Sequence, residues 1–184
     1  MVQRRLATVL ACDVSGFSRL MGRDDEGTLR RFERHQSLIA QVLAQHGGRP
    51  FGAAGDSLLA EFESPVAAVR CAVDMQLALH DVESAQIEGE RMRWRIGINL
   101  GDVMVEGDRL VGDGVNVAVR LESLARPGGI CLSASVAEHV REHVQLDFED
   151  LGRQRLKNIA RPVQAFRIPL PSDLDPAPPY RGLL

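Results

Sequence analysis

The chain is short of cysteine, of long apolar runs and of any large surplus of one charge. Its three cysteines, Cys12, Cys71 and Cys131, are an odd number with no metal-type spacing. That fits a reducing compartment and makes each, in its apolar context, a core residue. No run approaches membrane-spanning length and the N-terminus lacks the apolar stretch of a signal peptide, so a cytoplasmic protein with no membrane segment is expected. A formal net charge of -3 gives no global pull toward nucleic acid or a membrane surface, so any polyanion must be held by a local site. There is no internal repeat. A length of 184 residues suits one domain with a self-sufficient core. Five of the nine prolines fall in the last sixteen residues, so 169–184 reads as a tail or linker.

What is present is organised around Asp13-Val14-Ser15-Gly16-Phe17-Ser18. The preceding run from Leu6 to Cys12 is short and nearly all apolar, which reads as a strand buried on both faces that delivers a carboxylate at its end. A small residue, a glycine and a hydroxyl residue follow, so the backbone can turn tightly and leave N–H groups for phosphate at the start of a helix. Asp and Ser are also ordinary helix caps, and for this stretch alone capping and function stand about even.

Met21-Gly22-Arg23 closes a short helix, and Asp24 caps a longer one to about Gln45 with an apolar face of Leu29, Phe32, Ile39, Val42 and Leu43. Gly47-Gly48 ends it. Residues 49–54 and 57–62 alternate as an antiparallel hairpin, Phe51 and Ala53 facing with Leu58, Ala60 and Phe62. Asp56 sits at its tip, where Gly-Asp is usually turn chemistry. Joined to Asp13, it becomes the second carboxylate of a two-cation, oxygen-ligand site of the Mg²⁺ type, completed by substrate phosphates. Ser64-Pro65 opens a helix to about His80, with Val66, Val69, Val73 and Leu77 as its buried stripe. A polar loop follows. Period two from Trp94 gives a strand through Leu100 that resumes as Val103-Met104-Val105 and returns through Glu106-Gly107-Asp108.

Gly112-Asp113-Gly114 opens a helix with a cap at Asp113. Asn116, Arg120 and Ser123 share one narrow polar stripe on it, while Val115, Ala118, Val119, Leu121, Leu124 and Ala125 take most of the rest. Those polar groups look into a site or an interface, where Asn116 and Arg120 can hold one oxygen-rich group; the other reading is an Arg–carboxylate pair across a helix contact. Strands are expected at 130–132, 144–148 and 163–168, with a helix from Ser133 to about Arg141.

These motifs, in this order, resemble the class III nucleotidyl cyclase catalytic domain, the adenylate/guanylate cyclase family of bacterial type. The likeness rests on Asp-x-Ser-Gly-Phe-Ser, Ala-Gly-Asp-Ser-Leu-Leu-Ala-Glu-Phe, Gly-Ile-Asn-Leu-Gly-Asp, Gly-Asp-Gly-Val-Asn-Val-Ala-Val-Arg-Leu-Glu and Leu-Lys-Asn-Ile-Ala-Arg-Pro-Val, and it covers about residues 4 to 168. It implies an α/β (α+β) domain over 1–168, with a ferredoxin-like, mostly antiparallel sheet flanked by helices, working as a head-to-tail homodimer. It implies two Mg²⁺ or Mn²⁺ ions on Asp13, Asp56 and the Val14 backbone. Phosphates would lie on Ser15, Gly16, Phe17 and Ser18, with Lys157 reaching the terminal ones, and Asn116 and Arg120 would act on the ribose and the α-phosphate. The implied reaction takes a nucleoside triphosphate, ATP by family analogy, to a 3′,5′-cyclic nucleotide and pyrophosphate. Asp13 and Asp56 would come from one subunit and Asn116 and Arg120 from the other. No nucleic-acid partner is expected, and regulatory domains are looked for outside this chain's sequence.

The chain departs from the family where the base is chosen. Gly52 stands where adenylate cyclases usually carry lysine, and Arg109 where they carry Asp or Thr; neither fits the guanylate pattern. Gly52 has no side chain to read a base edge and Arg109 offers donors only. The hairpin that serves the family as a dimer arm is cut to little more than Glu106-Gly107-Asp108. A pyrimidine or relaxed-base cyclase, and a silent cyclase-homology module that binds nucleotide and dimerises, are the other readings.

Overall fold

Alternation along β1, Gln3–Val14, divides the protein into two cores. In the computed structural model, which describes residues 3–170, Leu10, Cys12 and Val14 join one apolar cluster, and Ala7, Val9 and Ala11 the other. A pleat with a period of two dictates that split. The strand is buried on both faces as its apolar run predicts, but it outlasts that run, so Asp13 is its penultimate residue and not a residue beyond its end.

Two helices follow, α1 over Phe17–Arg23 and α2 over Asp25–Gln45, the second capped by the Asp24 carboxylate, which accepts from the Gly27 N–H. The hairpin of β2, Arg49–Ala54, and β3, Ser57–Phe62, has the expected bounds and turns on Gly55 with φ 60. Next comes α3, Pro65–Glu83, capped by Ser64. β4, Trp94–Glu106, is one continuous strand through Gly101-Asp102, and it returns over Gly107-Asp108 into β5, Arg109–Val111. α4, Asp113–Leu124, β6, Ile130–Ser133, α5, Ala134–Val140, β7, Glu149–Gln154, and β8, Val163–Arg167, complete the order.

The sheet runs β2-β3-β1-β4-β6-β8-β7, with β5 also paired to β4. Only the β4–β6 pair is parallel, so the expected mostly antiparallel α+β sheet holds. Helices α2, α3 and α5 pack on the face of Leu10 and Cys12, and α4 packs on the face of Val9 and Ala11. The site grows on the α4 side.

Several local expectations need correction. The buried stripe of α3 is rotated from the expected one: Leu77 is 41% exposed, while Val69, Ala72, Met75, Gln76 and Leu79 turn inward. Gln76 belongs there because its amide donates to the carbonyls of Trp94 and Gly129. Leu29 of α2 is likewise 45% exposed, and Thr28 and His35 take the inner positions. α3 ends at Glu83, not near His80, since the Glu83 carboxylate finds Arg31, His35 and the Met92 N–H. Asp113 is the first helical residue of α4, and the cap position is Gly112 with φ 112. No strand forms over 144–148; Val144, Leu146 and Phe148 pack on the core without a ladder partner, and β7 begins one residue later. The expected tail, 169–184, lies outside the described residues from 171 onward.

Candidate active site

On β1 the parity that sends Val9 and Ala11 toward α4 sends Asp13 the same way. On β4 Trp94, Ile96 and Ile98 fill the opposite core, so Arg95 faces α4 too. The register pairs Asp13 directly with Arg95. Arg95 Nε donates to Asp13 Oδ1 at 3.0 Å and Nη2 donates to Oδ2 at 2.9 Å, a two-bond fork. Burial opposes the guanidinium charge, yet the Asp13 carboxylate holds the Arg95 pKa above its ordinary value.

Asp56 reaches the same corner from the β2–β3 turn. Its Oδ2 accepts from the Val14 N–H at 3.2 Å, which brings Asp13, Val14 and Asp56 together as the sequence predicts. Two carboxylates and a nearby main-chain carbonyl are hard oxygen donors of the kind Mg²⁺ and Mn²⁺ take. Among the described residues no three His, Cys, Asp or Glu side chains form a metal cage, so cations on this pair would need further oxygens, which a triphosphate carries.

Glu122 of α4 completes the corner. Its side chain is 5% exposed and its Oε1, with no hydrogen-bond partner, lies 3.3 Å from Arg95 Nη2. Burial first, and then the neighbouring Asp13 carboxylate, push the Glu122 carboxyl up to about 8, while Arg95 pulls it down and Asp56 adds to the rise. Neither Arg95 nor Glu122 was among the expected site residues. The signal for Arg95 was its place inside a strand of alternating apolar residues on the face away from Trp94; for Glu122 it was an acid set among Leu121, Leu124 and Ala125 on a helix that is apolar nearly all round.

After Val14 the chain turns through Ser15 and Gly16. The Ser15 N–H is not free, since it donates to the Arg93 carbonyl at 2.8 Å. Gly16 caps α1 with φ 68, a left-handed conformation that suits glycine. The first-turn N–H groups of α1 at Phe17 and Ser18 have no intrahelical acceptor. The Phe17 ring packs on Phe32, centroids 5.1 Å apart, and that holds the loop to α2.

α4 lies close to the sheet because residue 97 is glycine: a Cβ there would sit 2.1 Å from the Glu122 backbone nitrogen. The buried Asn99 amide donates to the Gly114 carbonyl at 3.0 Å and ties down the first turn. Asn116 is exposed and Arg120 half-buried on the open side of the helix. Arg120 Nε donates to the Lys157 carbonyl at 3.0 Å, so Lys157 meets Arg120 through its backbone while its side chain is exposed. Among the described residues, no hydrogen bond or ion pair joins Asn116 or Arg120 to Asp13 or Asp56. Within one chain, α4 meets the Asp13 corner through Glu122 and the Ser123 carbonyl, and not through Asn116 or Arg120. The other reading of Arg120, an Arg–carboxylate pair across a helix contact, is not met among the described residues: it bonds a carbonyl.

Gly52 and Arg109 line one cavity of about 290 Å³, walled by Phe51, Leu59, Leu110 and Val119. Arg109 Nη2 reaches the Glu106 carboxylate at 3.1 Å. The cavity is mostly apolar.

A family model for the adenylate and guanylate cyclase catalytic domain matches residues 2–168. A protein named putative adenylate cyclase 3, from Rhizobium meliloti, is 43% identical over 166 residues, covering 90% of this chain and 28% of its own. An adenylate cyclase from Streptomyces coelicolor is 32% identical over 141 residues, covering 76% of this chain and 35% of its own. The chain thus spans well under half the length of these relatives. A crystal structure described as an adenylate/guanylate cyclase/hydrolase from Silicibacter pomeroyi superposes with a TM-score of 0.86 at 41% identity, covering 91% of this chain and 98% of that one. The adenylyl cyclase CyaB from P. aeruginosa shares the fold with a TM-score of 0.81 at 23% identity, over 93% and 97% of the two chains.

Proposed function

The chain belongs to the adenylate and guanylate cyclase catalytic-domain family, and from that premise we propose that residues 1–168 form a nucleotidyl cyclase unit making 3′,5′-cyclic AMP and pyrophosphate from ATP. The observation that carries the proposal is the meeting of Asp13, Asp56 and Arg95 beside the open turn at Gly16. The 3′-oxygen of the ribose attacks the α-phosphorus, its proton leaves, and the bond to the β-phosphate oxygen breaks to release pyrophosphate. When bound, two divalent cations supply the positive charge that favours loss of that proton and offsets the charge on the leaving group. Asp13, Asp56 and the Val14 carbonyl would hold them. The first-turn N–H groups at Phe17 and Ser18, with the Ser15 and Ser18 hydroxyls, orient the phosphates, and Arg95 and Lys157 are cations for their terminal oxygens. Asn116 orients the ribose and Arg120 stabilises charge on the transferring phosphate.

The separation of Asn116 and Arg120 from the two aspartates supports a site shared between subunits of a homodimer, each chain giving one half to each of two sites. The choice of ATP is supported by the adenylate cyclase names of the relatives at 43% and 32% identity. One observation favours a second reading, a relaxed or pyrimidine base preference: the cavity has glycine at 52 and only donors at Arg109.

The test is a competition among ATP, GTP, CTP and UTP, with Mn²⁺ and then Mg²⁺, reading cyclic nucleotide and pyrophosphate, with Asp56→Ala as the blank. Cyclic AMP in excess is expected. A different cyclic product overturns the choice of base, and no product from dimeric protein overturns catalysis in favour of a silent nucleotide-binding module.

A further inference from the structure

Arg95 uses both oxygens of Asp13, one through Nε and one through Nη2. A divalent cation at Asp13 must take at least one of those oxygens, and it would arrive beside a fixed positive charge. The backbone cannot relieve the conflict, because Asp13 and Arg95 are register partners within a paired β1–β4 ladder. The side chain can. Glu122 Oε1 stands 3.3 Å from Nη2 without a hydrogen bond of its own, and the Ser123 carbonyl is 3.4 Å from Nη1. A second set of acceptors for the guanidinium is thus built on α4, and the guanidinium touches them while it still holds Asp13.

We propose that in the nucleotide-free protein Arg95 competes with divalent cations for Asp13, and that Glu122 is the positioning residue that takes the guanidinium when Asp13 is claimed. The inference rests on the reading of Asp13 and Asp56 as cation ligands. Its consequence is an order of binding: cations load with the polyphosphate, whose charge re-partners Arg95, and not ahead of it. Protein without nucleotide stays poor in metal although its carboxylates are in place.

The experiment is a titration of the full chain with Mn²⁺ and no nucleotide, free Mn²⁺ being read by electron paramagnetic resonance. Arg95→Met should bind Mn²⁺ about tenfold or more tightly than the wild type, and Arg95→Lys, which keeps the charge and loses the fork, should fall between. The gain should vanish in the Asp13→Asn, Arg95→Met double variant. Glu122→Gln should weaken Mn²⁺ binding where Arg95 is present and change it little in the Arg95→Met background, a non-additivity that an effect of Glu122 independent of Arg95 does not produce. Arg95→Met and Arg95→Lys proteins that fold and bind Mn²⁺ no tighter than wild type overturn the competition, and equal Glu122→Gln effects in both backgrounds overturn the positioning role. Mn²⁺ affinity that ignores Asp13→Asn in every background overturns the cation reading itself, and this inference with it.

Discussion

Asp13 and Arg95 sit directly opposite each other across the β1–β4 ladder and close a two-bond ion pair on the α4 side of the sheet. A side-chain pair held by backbone register is more rigid than one between loops. The corner that Asp56 and Glu122 join is set by strand alternation, before any ligand is considered.

A site shared between subunits, as proposed, predicts complementation. Asp13→Ala and Arg120→Ala proteins should each be nearly inactive, losing about a hundredfold or more. Mixed in equal amounts they should recover about a quarter of wild-type activity, because about half the dimers are mixed and each holds one intact site. A mixture no more active than its components would show that the residues do not work across an interface.

Gly97 predicts a packing effect on the site. Gly97→Ala puts a methyl 2.1 Å from the Glu122 backbone nitrogen, which backbone cannot yield cheaply. Thermal unfolding should show a loss of about 1–3 kcal/mol, and kcat should fall more than KM rises as Asn116 and Arg120 move off their positions.

Glu83 predicts an acid limb in stability. Although burial alone would raise its pKa, hydrogen bonds from His35 and the Met92 N–H and the charge of Arg31 hold it below the ordinary value. The unfolded chain binds this proton first, so the stabilisation is complete above about pH 4.5 and is lost as pH falls through the lowered folded pKa. Denaturant titrations from pH 7 to 3 should therefore show a shallower decline for Glu83→Gln than for the wild type. At pH 7 the variant should be less stable by about 3 kcal/mol, since Arg31 loses its buried partner.

Arg109 predicts a base-selective effect. If its donors read a carbonyl edge, Arg109→Ala should raise KM for GTP, CTP and UTP by roughly tenfold, the worth of one exposed charged hydrogen bond. KM for ATP should change less. Equal changes for all four triphosphates would leave Arg109 no part in base choice.

Much of this was legible in the sequence. Cap residues named the starts of α2 and α3, because Asp24 and Ser64 act through local hydrogen bonds, and the β2–β3 hairpin was legible from Gly55-Asp56 between two alternating runs. Asp13 and Asp56 are together as their motifs imply. What was illegible depends on partners far along the chain. Leu77 looks like core by period, but Gln76 wins the inner position through carbonyls at Trp94 and Gly129. Val144 to Phe148 has strand alternation, yet a ladder needs a neighbour, and alternation reports only which side chains face inward. Arg95 and Glu122 escaped notice because their meaning lies in register and helix placement, 27 positions apart in sequence and 3.3 Å apart in space.

Cys12, Cys71 and Cys131 form no disulfide and are all buried, and burial pushes the pKa of Cys71 up to about 12 and raises that of Cys12 further. A buried, protonated thiol does not react with an alkylating reagent. Each labelling event therefore requires the chain to open around it. Since Cys12 is the residue before Asp13, its alkylation rate is a clock for how often the strand bearing that carboxylate comes apart, and any ligand that grips this corner will slow it.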